Sequence, residues 1–292
     1  MILEKLVNID RRIVYLLIAV GTIIPILIPI GFPVSTTPPV ESLFDKVESL
    51  NSEDVVLISF DYGPTTAPEN DPMAEAMLRH CFSRNIKVVV IALFPIGGVT
   101  MAGEAVATVT AEFPNLTNGV DYVLLGYKDG AQAAMKQMGV DIAGVFPSDQ
   151  YGTSLADLPL MQTVRNYDDV DLIVSFATGV IGEWWANLIN AQFGTPVAVG
   201  CTAVSAPKYY AFLDSGQMIG LLGGLKGASE YEKLLTTSYP ALNEVYNRAG
   251  TYTATKGMDA QTVDHALIMI FILFGNTIYF LIKRREKKLE EA

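Results

Sequence analysis

Long apolar runs stand near both ends of this chain, and between them short hydrophobic clusters alternate with helically spaced segments. The first run, Ile13 to Pro33, carries no charge over 21 residues. As a helix it covers about 30 Å, the hydrocarbon thickness of a bilayer. The second, Ala266 to Ile282, has 17 residues and reaches full length by drawing on Val263 to His265. Both predict transmembrane helices, the first kinked at Pro25 and Pro29. Asn276 lies inside the second, and because lipid offers an amide no partner it predicts a neighbouring helix. The first run is longer than the apolar region of a secretory signal, and no small-x-small site follows it directly. A retained anchor is expected.

Five clusters in the middle of the chain are short, rich in Val, Ile and Leu, and apolar throughout: Asp54–Phe60, Lys87–Phe94, Asp121–Gly126, Asp171–Phe176 and Pro196–Gly200. Such runs mark strands buried on both faces of a parallel sheet. Helical spacing predicts Glu41–Leu50, Pro72–Arg84, Met101–Phe113, Ala131–Met138 and Gly182–Phe193, with Asp71–Pro72 as a cap and first turn. The alternation predicts an α/β fold, a Rossmann-like doubly wound, mostly parallel five-stranded sheet, flanked by one transmembrane helix at each terminus. The expected organisation is a tail over 1–12, a span over 13–33, a linker and short helix over 34–52, the α/β domain over 53–202, its helical extension over 203–264, a second span over 265–282 and a basic tail over 283–292. Within the extension Gly216, Gly220 and Gly224 recur every fourth residue, and Gly223 and Gly227 repeat that spacing. Either this is a flat helix face for close packing against a subunit or the sheet, or the glycines break two short helices.

Charge gives the layout a direction. Lys5, Arg11 and Arg12 precede the first run, and Lys283, Arg284, Arg285, Lys287 and Lys288 follow the second. Residues 34–264 hold 26 Asp and Glu against 12 Lys and Arg, a net charge of −14 within the chain's −11. The positive-inside tendency places both termini in the cytoplasm and the acidic body outside the cytoplasmic membrane. That charge argues against nucleic acid as a partner. The expected partners are the lipid bilayer and either further copies of the chain or other membrane-protein subunits. Cys81 and Cys201 are too few for a disulfide framework.

Candidate chemistry is sparse. No phosphate-binding or dinucleotide motif occurs, so no cofactor is expected; GLLGGLKGAS at Gly220–Ser229 lacks the spacing and is not expected to follow a strand. His80 and His265 lie far apart in the chain, and no metal cluster or catalytic triad is read from them. Ligands of open parallel sheets settle beyond the carboxyl ends of the strands, which makes Asp61, Gly97, Gly98, Lys128 and Thr178 the candidate ligand-binding residues. Asp61, Glu69 and Asp71 are also considered as a cation cluster, against the alternative of Asp71 as a cap and Glu69 in solvent. Gly216, Gly220, Gly224 and Asn276 are the candidate packing residues. The adjacent Trp184 and Trp185 either set one ring in the core and one outward, or are both partly buried. The expected role is a non-catalytic assembly component of an oligomeric membrane complex. A membrane-tethered receptor for a small ligand at the strand ends is the alternative.

Overall fold

The computed structural model describes residues 10–248 and 251–290. The tail expected over 1–12 falls almost wholly outside them, as does the end of the basic tail. The chain divides into two units, one formed by its two ends and the other by Val34–Ala254.

The larger unit is an α/β body around six parallel strands: β1 Val55–Asp61, β2 Lys87–Ala92, β3 Tyr122–Tyr127, β4 Leu172–Ala177, β5 Val197–Cys201 and β6 Gly220–Gly223. Their spatial order is β3-β2-β1-β4-β5-β6, the order of a Rossmann-like sheet, with the reversal between β1 and β4. The expectation of five strands is therefore corrected to six. The missed strand is Gly-Leu-Leu-Gly, whose flanking glycines hide it from a β-propensity reading. It pairs with β5 from Ala198 opposite Gly220 to Cys201 opposite Gly223.

Every residue of β1 is buried, which is why its pattern is continuous and not alternating. Val56, Ile58 and Phe60 face one side with α2 (Pro38–Glu48), α3 (Ala67–Ser83), α4 (Gly98–Thr110) and α7 (Gly224–Ser238). Val55 and Leu57 face the other with α5 (Ala131–Met138), the short helices before β4, and α6 (181–193). Helix α6 opens as Ile181–Trp184, widens into a π-helix over Trp185–Asn190 and closes with Ala191–Phe193. Helix α3 starts a turn earlier than expected, at Ala67, so Asp71 and Pro72 lie inside it and Asp71 is not its cap. The early start is possible because Pro68 occupies the first turn, where the absent N–H has no partner to lose.

The smaller unit joins α1 (Arg11–Leu27) to α8 (Ala254–Glu290) as an antiparallel pair. Ile13 and Ile282 line one end of the groove between them, and Gly21 meets Leu267 and Asp264 further along. Thr22 donates its hydroxyl to Asp264 at 2.7 Å. Among the described residues one helix is long and apolar enough to cross a membrane, within Ala254–Arg284. The N-terminal span expected over 13–33 is not formed. Helix α1 stops at Leu27, and its 17 residues cover only about 26 Å. Ile28 precedes Pro29 and is forced out of helical geometry, at φ −129° and ψ 89°. The buried carboxylate of Asp259 then takes the N–H groups of Ile30, Gly31 and Phe32 at 2.8, 2.8 and 3.0 Å. Those amides are satisfied without a helix.

His80 is a core residue of the body. Its ring stacks on Phe44 at 4.5 Å, with Tyr231 Oη 2.7 Å from Nδ1 and Glu48 3.0 Å from Nε2. Burial lowers its pKa from 6.5 to about 4, against the pull of Glu48. The unfolded chain takes up this proton near pH 6.5 and the folded chain only near pH 4. The histidine's contribution is thus complete above pH 6.5 and is lost as pH falls toward 4, by about 3 kcal/mol. Urea unfolding at pH 7 and pH 4.5 should show a smaller acid loss in His80→Gln than in the wild type.

Candidate functional site

In this strand order the crevice lies beyond the carboxyl ends of β1 and β4. Its central acid, Asp61, has no surface exposure. One carboxylate oxygen accepts from Ser59 Oγ at 2.8 Å and the Leu93 amide at 3.2 Å. The other accepts from Ser175 Oγ at 2.6 Å and Trp185 Nε1 at 2.8 Å. Burial raises its pKa, and the hydrogen bonds from Ser175, Ser59 and Trp185 oppose the rise. Ser59 and Ser175 are register partners on neighbouring strands, so the sheet itself aligns both hydroxyls on the acid. Trp185 is the buried ring of the tryptophan pair, and Trp184 is half-buried.

The other candidates line up along the same edge in strand order: Lys128 after β3, Gly97 and Gly98 after β2, Thr178 after β4. Their backbones serve packing. A Cβ on Gly97 would lie 2.8 Å from Pro64 Cδ, and one on Gly98 2.9 Å from the Phe60 carbonyl. The loops after β1 and β2 thus close on each other where a ligand's phosphate would otherwise sit. The Thr178 amide donates to the Asp61 carbonyl at 2.9 Å, and the Lys128 amide to Ala92 at 3.1 Å. Asp61, Glu69 and Asp71 do not converge: Glu69 accepts from the Ala203 amide at 2.9 Å, and Asp71 from Tyr62 Oη at 2.6 Å. Among the described residues no group of three or more His, Cys, Asp or Glu is placed to hold a metal ion.

Two features of this edge escaped the sequence reading. The first is an apolar rim. Ile96, Val180 and Val204, at the tips of the loops after β2, β4 and β5, are 72%, 47% and 90% exposed. The second is a cavity of about 430 Å³ beside the carboxyl ends of β5 and β6, lined by Thr37, Val40, Tyr210, Leu221, Lys226 and Glu230 among others. The sequence signal for it was GLLGGLKGAS. Contrary to expectation, that segment is itself strand β6 followed by helix α7, turning at Gly224 with φ +63°.

The proposed glycine face is corrected accordingly. Gly216 sits in a turn at φ +74°, Gly220 in a strand beneath Leu43 and Pro39, and Gly224 at a helix start. A strand has a period of two, so residues four apart here share no helical face. Asn276 is exposed on α8 and donates its amide to the Ile272 carbonyl at 2.8 Å. Cys81 and Cys201 are free and buried, and burial pushes both thiols up to about 12. Comparison with known proteins finds no family model that matches the chain, no similar curated protein and no matching solved structure.

Asp61→Ala should leave four donors facing a void and cost about 3–5 kcal/mol in urea unfolding. Asp61→Asn should cost less, about 1–3 kcal/mol. Either way its NH₂ must face one N–H that cannot turn away, from Leu93 or from Trp185.

Proposed function

We propose that this chain is a membrane-anchored, non-catalytic assembly component whose α/β body docks other subunits, copies of itself or other membrane proteins, through the carboxyl edge of its sheet. The observation that carries this reading is the apolar rim of Ile96, Val180 and Val204. Scattered apolar side chains are ordinary on a surface, but three at loop tips along one edge of the sheet, after β2, β4 and β5, favour a partner there. The internal use of Asp61 supports the same reading, because both oxygens of the acid best placed for a ligand are engaged by the protein's own donors.

Helix α8 is the membrane-crossing element in this reading, with α1 lying along it. The basic cluster from Lys283 to Lys288 lies in the last turns of α8, beyond its apolar stretch, and favours a cytoplasmic C-terminus with the body on the other side of the cytoplasmic membrane. Protease added to intact cells should then cut the body, and cutting only after lysis would reverse the orientation.

A second reading, a tethered body that binds a small ligand at the strand ends, is favoured by the cavity beside β6. Particle size separates the two. The full chain in mild detergent should run as an oligomer by light scattering. The triple variant Ile96→Asp, Val180→Asp, Val204→Asp should dissociate it, with stability changed by only about 0.5 kcal/mol per site. A monomeric wild type, or a triple variant of unchanged size, would remove docking between copies of the chain.

A further inference from the structure

We propose that the cavity beside β6 binds a small zwitterion of the α-amino-acid class carrying an apolar side chain, with its two charges met by Lys226 and Glu230. The inference rests on the ligand-binding reading of the body and names the ligand's chemistry.

The cavity's volume of about 430 Å³ lies within the usual range of ligand pockets, roughly 300–1,000 Å³. It opens beyond the carboxyl ends of β5 and β6, the side of an open parallel sheet where ligands settle. Val40, Pro207, Tyr210 and Leu221 supply an apolar wall. Set into that wall are two opposite charges one helical turn apart. Glu230 is 1% exposed and pairs with Lys226, whose side chain is 54% exposed. The two differ in freedom. Glu230 is held from behind by Thr37, which donates its amide at 2.7 Å and its hydroxyl at 2.6 Å to the second carboxylate oxygen. Among the described residues Lys226 is held by the pair alone, and it reaches solvent.

An ion pair at the wall of an apolar cavity selects by charge balance. A ligand with one charge satisfies one partner and leaves the other partly desolvated without a counter-charge, which is costly. A ligand carrying an ammonium and a carboxylate on the same carbon replaces both halves of the pair at once. Its ammonium takes the Glu230 oxygen that Lys226 held, and its carboxylate takes the displaced Lys226 ammonium. Only the lysine has to rotate. The ligand's side chain then lies on the apolar wall and removes it from water.

Thermal unfolding of the full chain in mild detergent tests this with three probes of similar shape: leucine, 4-methylpentanoate (no amine) and isoamylamine (no acid). Leucine should raise Tm saturably, with half-saturation at least about tenfold below that of either single-charge probe. Lys226→Ala should weaken the leucine response at least about tenfold. Ala203→Leu, at an exposed position on the cavity's lining, should abolish it without loss of the folded state. A response to 4-methylpentanoate or isoamylamine that equals leucine's and is lost in Ala203→Leu would overturn the zwitterion and leave the cavity as a ligand site. A leucine response untouched by both variants would overturn the site. No response to any of the three probes would remove the inference together with the ligand-binding reading.

Discussion

The body is organised around a buried carboxylate that forms no ion pair among the described residues. Asp61 takes hydrogen bonds from its own strand, from β4, from the end of β2 and from the indole of α6. It thereby ties together the elements that meet where the strand order reverses. An acid in that surrounding is tolerable only because every donor is fixed in place: two by strand register, one by the backbone, one by a ring buried in the second core. The widened turn that begins at Trp185 belongs to the same arrangement. In consequence the acid at the crevice where such sheets usually greet a ligand is engaged by the protein's own donors. The chemistry left open to solvent moves outward, to the loop tips and to the cavity beside β6.

Helix α7 repeats the theme one layer away. Four consecutive residues, Ser229 to Glu232, are polar or aromatic and fully buried. Glu230 holds the amide of Thr37 at the start of α2, Tyr231 meets His80, and Glu232 accepts from the amide of Ala254 at 2.8 Å. The carboxylate of Glu230 thus caps the N-terminus of α2, where the helix dipole welcomes negative charge, and that of Glu232 holds the last residue of the body. Part of the net negative charge of this region is therefore internal structure and not a solvated coat.

Much of the fold was legible in the sequence because burial on both faces leaves a simple mark. Each of the five apolar clusters is a strand, displaced by no more than two residues at either end, and Ala131–Met138 is a helix over that very span. The sixth strand was not legible, since Gly-Leu-Leu-Gly is too short and too glycine-rich to outweigh the four-residue spacing that suggested a helix. The candidate ligand residues were rightly read to one edge, and their partners were not. Asp61 meets Ser175 and Trp185 across 114 and 124 residues of chain.

Local sequence by itself determined the parallel sheet, the burial of its strands, the apolar character of both ends and the acidity of what lies between, because hydrophobic periodicity and charge are properties of neighbours in the chain. Tertiary structure alone decided that Pro29 and Asp259 end the first apolar helix short of a span, that Asp61 faces inward, and that Lys226, Glu230 and Thr37 share a cavity wall. Those outcomes depend on which distant donors and acceptors are brought within about 3 Å of each other, and no pattern along the chain encodes that meeting.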